Sequence, residues 1–118
     1  MTKVMVVDDT QFIRMRLVKL LGEHGYEVVE AEDGVQAISV YQKNRPDVVL
    51  MDITMPHKNG LEALTEIIQW DSGAKVIMLT ALGQEWMVYE AFKHGAKDFL
   101  LKPYNSERLV ETLQKVLG

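Results

Sequence analysis

Apolar residues along the chain gather into short runs rich in β-branched side chains: Val4 to Val7, Glu27 to Val29, Val48 to Met51, Val76 to Leu79 and Phe99 to Leu101. Each run predicts a strand. Between them the apolar positions change to helical spacing: Ile13, Leu17, Leu20 and Leu21; Ala37, Ile38 and Tyr41; Leu61, Leu64, Ile67 and Ile68; Val88, Ala91 and Phe92; Leu109, Val110, Leu113, Val116 and Leu117. Strict strand and helix alternation predicts right-handed crossovers, hence a doubly wound α/β fold with a five-stranded parallel sheet and five helices on its two faces. Val48-Val49-Leu50-Met51 is apolar throughout, as a strand covered on both sides must be. Gly25 and Gly95 stand where the first and fourth helices should end in a left-handed cap, Pro46 stops the second, and Asn105 or Ser106 can cap the last.

A chain of 118 residues is expected to form one domain, spanning 1–118, and 47% hydrophobic with 25% charged residues is an ordinary globular balance. The absence of cysteine excludes disulfides, cysteine-ligated metals and a thiol nucleophile, and it fits a reducing, cytoplasmic setting. Thirteen basic against seventeen acidic residues leave a net charge of -4, which argues against direct nucleic-acid binding. No apolar run approaches the roughly 18 residues of a membrane span. A monomer is expected.

The chemistry is read at the carboxyl ends of the strands, where open parallel sheets place their functional crevice. Asp8-Asp9 follow the first run, Asp52 the third, Thr80 the fourth and Lys102-Pro103 the fifth. Taken alone, Asp8-Asp9 would read as a helix cap, but a third acid in the same crevice makes the three carboxylates repel one another unless a cation offsets them. One lysine is insufficient. Hard oxygen ligands with room for water and phosphate suit Mg²⁺, and no calcium-loop spacing is present. A carboxylate beside such a metal and a lysine can attack phosphorus, and Asp52 is the better nucleophile because the Asp8-Asp9 pair is committed to the metal.

The motifs V-V-D-D at Val6 to Asp9, M-D-I-T-M-P at Met51 to Pro56 with N-G at Asn59-Gly60, L-T-A at Leu79 to Ala81, G-A-K-D-F at Gly95 to Phe99 and L-K-P at Leu101 to Pro103 occur in that order. Over essentially the whole chain, from Val4 to Leu117, the sequence resembles the bacterial response-regulator receiver domains, and among them the stand-alone chemotaxis type. The resemblance implies a flavodoxin-like sheet of order 2-1-3-4-5 and a phosphorylation-activated switch in which Asp52 accepts a phosphoryl group from a histidine kinase. It implies that Asp8, Asp9, Asp52 and the backbone carbonyl of Thr54 hold Mg²⁺, that Thr80 donates its hydroxyl to a phosphoryl oxygen, and that Lys102 pairs with the phosphate. The Lys102-Pro103 bond would be cis, and Phe99 would swing inward when Thr80 moves. Leu82 and Thr54 stand where the family tunes hydrolysis of the phosphoryl group. The implied partners are the kinase and a downstream protein, either a flagellar motor switch or a histidine phosphotransfer protein. Self-phosphorylation and autodephosphorylation would be its only catalysis. The best-known chemotaxis receivers carry tyrosine where this chain has Phe99, which can fill the same space but offers no hydroxyl to a partner.

Two other readings stay open within the family, a phosphorelay intermediate and the receiver of a transcription factor. From another class comes an aspartyl-phosphate phosphatase, although that enzyme needs a second acid where Thr54 stands. A flavin carrier on the same fold is disfavoured because Asp8-Asp9 would repel the flavin phosphate. His24, His57 and His94 fall at loops and helix ends and read as surface, Met5, Met51 and Met78 as core, and Trp70 as a helix-end packing residue. On the fourth helix, Trp86 and Tyr89 share a face with Glu85, Glu90 and Lys93, while Met87, Val88, Ala91 and Phe92 point elsewhere; the two rings are a candidate output surface.

Overall fold

The computed structural model describes residues 1–81 and 83–118. Strands and helices alternate throughout: β1 (Lys3–Val7), α1 (Gln11–Glu23), β2 (Glu27–Ala31), α2 (Gly34–Asn44), β3 (Val48–Asp52), α3 (Gly60–Trp70), β4 (Val76–Thr80), α4 (Glu85–Lys93), β5 (Asp98–Leu101) and α5 (Ser106–Leu117). All strand pairs are parallel, in the order β2-β1-β3-β4-β5. The doubly wound sheet predicted from the alternation is therefore present.

The two-residue period of the strands sorts their side chains onto two cores. Met5, Val7, Val49, Met51, Val76 and Met78 meet α2, α3 and α4 through Ala37, Tyr41, Leu64, Ile67 and Ala91. Val4, Val6, Val48, Leu50, Ile77 and Leu79 meet α1 and α5 through Leu17, Leu21, Leu109 and Leu113. Every residue of β3 and β4 is buried, so alternate neighbours serve opposite faces and none can be polar until the strand ends. Each such Val or Leu side chain contributes about 1.5–3 kcal/mol by leaving water.

Helix ends follow local chemistry. Asp33 caps α2 through the Gln36 amide, Asn59 and Glu62 form a reciprocal capping box on α3, and Asn105, not Ser106, caps α5. Gly25 and Gly95 take positive φ after α1 and α4, as expected. After α2 the left-handed position falls to Arg45, just ahead of Pro46. β2 runs two residues beyond its apolar segment, because Glu30 and Ala31 continue the main-chain pairing with Val6 and Val7. Among the described residues no helix is long and apolar enough to cross a membrane.

Candidate functional site

The strand order reverses between β1 and β3: chain on one side of β1 leads to β2, and β3 begins the run on the other. Crossover helices diverge there and leave a crevice at the carboxyl edge. Asp8 and Asp9 enter it directly after β1, Asp52 is the last residue of β3, Thr80 the last of β4, and Lys102 follows β5. In each case the change from apolar run to polar side chain coincides with the edge of the two cores.

The three carboxylates converge, with one oxygen from each of Asp8, Asp9 and Asp52 lying within 4.8 Å of the others. Asp8 and Asp52 are buried, at 3% and 7% exposure, whereas Asp9 is open to solvent. Lys102 Nζ bridges the buried pair, 3.2 Å from Asp8 Oδ2 and 3.4 Å from Asp52 Oδ1. Burial pushes the Asp52 carboxyl up to about 6; Lys102 opposes this and the neighbouring Asp8 charge adds to it. Burial also acts against the Lys102 ammonium, but the attraction of Asp52 and Asp8 leaves its pKa above the ordinary value. One ammonium facing three acids leaves a net negative crevice lined by hard oxygen donors, and such a cluster can hold a metal ion.

The surroundings hold this arrangement in place. Asp8 Oδ1 accepts the Thr10 amide at 2.8 Å, so the side chain that could have capped α1 instead folds back into its own turn. The Gly60 amide donates to the Ile53 carbonyl, and a Cβ at position 60 would stand 2.0 Å from the Asp52 carbonyl oxygen. Only glycine lets α3 start this close to the strand carrying Asp52. Thr54, two residues on, is exposed. Thr80 is buried, and the Lys102-Pro103 peptide is cis.

Phe99 lies in β5, half-buried against the core beneath α2, α3 and α4. Trp86 and Tyr89 are exposed on α4, at 58% and 66%, and Trp86 Nε1 donates to Gln84 Oε1. Phe92, expected to point away from that surface, is also largely exposed, and so is Leu101 at the end of β5. The helix is short and only Met87 and Ala91 of its residues are buried, so its apolar side chains exceed the core available to them. The hydrolysis-tuning role assigned to Leu82 lies outside the described residues. His24 and His57 are exposed, and His94 is half-buried beside Glu90.

One residue at this edge escaped the sequence reading. Arg14 on α1 is buried and donates from Nη1 to the Asp8 carbonyl at 2.7 Å. Its signal was its spacing, since positions 14, 17 and 21 lie on one helical face and the other two are buried leucines.

A family model described as the response regulator receiver domain matches residues 4–114. Among curated relatives, the protein CcdB of Bacillus subtilis is 49% identical, covering 100% of this chain and 99% of its own. The chemotaxis protein CheY of the same organism is 47% identical, covering 98% of each. Among solved structures, one of the CheX-CheY-BeF3-Mg²⁺ complex from Borrelia burgdorferi superposes with a TM-score of 0.95 at 32% identity, over 99% of this chain and 90% of that one. The chain belongs to the response-regulator receiver family, whose function is phosphorylation-activated signalling.

Proposed function

We propose that Asp52 is the phosphoacceptor of a cytoplasmic, chemotaxis-type switch, and that the switch signals through altered protein contacts around α4 and β5. The observation that carries this reading is the convergence of three carboxylates within 4.8 Å with Lys102 bridging the two buried ones. Asp8, Asp9, Asp52 and the Thr54 carbonyl would hold Mg²⁺, which supplies charge neutralisation for the transferring phosphoryl group. An Asp52 carboxylate oxygen forms the new P–O bond as the P–N bond of a kinase phosphohistidine breaks, and the imidazole leaves with a proton. Lys102 faces both buried acids and is placed to pair with the incoming phosphoryl oxygens, releasing Asp52 to react. Thr80, at the end of the neighbouring strand, donates its hydroxyl to a phosphoryl oxygen, and Phe99 follows its movement. The fully covered relative named as a chemotaxis protein supports the chemotaxis assignment, and the Borrelia complex containing BeF3 and Mg²⁺ supports the metal. The phosphodonor is a histidine kinase. The downstream target is a flagellar motor switch or a phosphotransfer protein, contacted through Trp86, Tyr89 and the Phe99 region.

The test is acetyl phosphate with Mg²⁺, read by intact mass. A single hydroxylamine-sensitive phosphate is expected in wild type and none in Asp52→Asn, because an amide is a poor nucleophile. Undiminished labelling of that variant would remove Asp52 from the role.

A further inference from the structure

Among the described residues Arg14 is the one buried basic side chain, and the proposed chemistry gives it no task. All three guanidinium nitrogens are engaged. Nη1 donates to the main-chain carbonyl of Asp8 at 2.7 Å, Nε to Glu30 Oε1 at 3.2 Å, and Nη2 lies 3.6 Å from Glu32 Oε1. We propose that Arg14 is a positioning residue of the metal site: it holds the Asp8 carbonyl oxygen and so fixes the plane of the Asp8-Asp9 peptide, which aims the Asp9 carboxylate at the ion. The inference rests on the metal reading above.

A peptide group is planar, so the Asp8 carbonyl oxygen, the Asp9 nitrogen and the Asp9 Cα move as one body. Asp8 is already held at its other polar atoms: its amide donates to the Ala31 carbonyl at 3.2 Å, Oδ1 accepts from Thr10 and Oδ2 meets Lys102. Its carbonyl was the remaining freedom, and Arg14 takes it. Asp9 is exposed and outside the strand, and that plane places the nitrogen and Cα from which its side chain starts. Glu30 and Glu32 face the guanidinium from the far side, so its charge is met at the end of β2 and the acids of the cluster are left for a metal.

Charge and position predict opposite signs. Removing a cation near a dication site tightens metal binding by charge alone, whereas freeing the Asp8-Asp9 peptide weakens it. Orienting partners of this kind are worth about 10-fold or more in metal affinity.

The experiment titrates Mg²⁺ calorimetrically into the full chain as wild type, Arg14→Gln and Arg14→Lys, at a temperature where each is folded. Amide exchange of Asp9 is followed in the metal-free proteins. The Mg²⁺ Kd should rise about 10-fold in Arg14→Gln. The rise should be smaller in Arg14→Lys, whose ammonium still reaches the carbonyl but lacks the fork. Asp9 exchange should quicken in both. Labelling by acetyl phosphate should fall at low Mg²⁺ and recover at saturation. A lowered melting temperature with unchanged Kd, or tighter Mg²⁺ binding, overturns the proposal. If Arg14→Gln does not fold, Arg14→Lys must itself show the weakening, and wild-type affinity in it overturns the proposal. Wild type that binds no Mg²⁺ removes the metal reading as well, whereas variants matching a wild type that does bind remove only the role of Arg14.

Discussion

At the carboxyl edge of the sheet Asp8 and Asp52 are buried side by side with one ammonium, Lys102, 3.2 and 3.4 Å away. At the amino edge, Asp71 accepts the Tyr41 hydroxyl at 2.8 Å and the Gly73 amide at 3.0 Å, and Asp47 accepts the Lys3 amide at 2.8 Å. Acids at the amino edge are thus met one by one, Asp71 and Asp47 by neutral donors and Glu27 and Asp98 by one lysine each, Lys3 and Lys115. Those at the carboxyl edge are crowded and under-neutralised. The first arrangement satisfies each acid within the fold; the second costs stability, a cost that the proposed metal binding and phosphoryl transfer would account for.

The largest test of this contrast is metal binding. Mg²⁺ at 100 times its Kd should stabilise the fold by about 2.7 kcal/mol, because it binds the native cluster and not the unfolded chain. Chemical denaturation with Mg²⁺ and with chelator measures it. Asp9→Ala should erase most of the gain, whereas Tyr41→Phe at the opposite edge should leave it whole. An equal response in both variants would dissolve the distinction between the edges.

Next is the cost of the buried acid itself. The carboxyl of Asp52 is raised from 3.8 to about 6 in the fold, so the native state holds its proton more tightly than the unfolded chain does. The contribution, about 3 kcal/mol, is fully present below pH 4 and is lost as pH rises through 6. In chelator, Asp52→Asn should therefore be more stable than wild type above pH 6, by up to that amount, with the difference closing toward pH 4. Denaturant midpoints across that range decide it, and a variant less stable than wild type at pH 7 would contradict the reading.

The contrast also explains what could be read from sequence. Strands β1, β3 and β4 were legible because burial on both faces leaves an unbroken apolar run, and Asp52 and Thr80 were legible because each ends such a run. The end of β2 was not, since Glu30 pairs through its main chain at an edge strand while its side chain stays exposed. Arg14 was not, because an arginine on an amphipathic helix normally reads as solvated: its spacing with Leu17 and Leu21 marks the buried face, but the contact with Asp8 that holds it there comes from the fold. Phe92 and Leu101 failed in the opposite direction: apolar residues at helical or strand spacing imply a core, and the core beneath α4 is filled by Met87 and Ala91.

At the amino edge a smaller effect is expected. Tyr41 is buried, and burial together with its bond to Asp71 pushes the phenol above its ordinary range. Tyr41→Phe keeps the ring but leaves Asp71 one donor short, at a cost of about 1 kcal/mol. Denaturant unfolding should show that loss, and acetyl phosphate labelling should match wild type. Impaired labelling would mean that the edges communicate.

The two tryptophans carry the comparison to its finest scale, because both are partly exposed, Trp70 at 44% and Trp86 at 58%. Trp70 meets Tyr41 edge to face at 6.1 Å between centroids and lies beneath the Arg45 guanidinium at 4.7 Å. Trp86 is engaged by Gln84, its neighbour at the start of α4. Edge-to-face pairs and cation–π contacts are each worth about 0.5–1 kcal/mol, so Trp70→Ala should destabilise by about 1 kcal/mol or more. Trp86→Ala should stay within about 0.5 kcal/mol of wild type, as surface substitutions do. The order should reverse when a target protein is bound: a ring displayed for a partner costs more than about 1 kcal/mol of affinity on truncation, and a ring already satisfied within its own fold costs nothing. Stability and binding measured on the same two variants form the test. If Trp86→Ala unfolds as readily as Trp70→Ala, the α4 ring belongs to the fold and the output surface must be sought elsewhere.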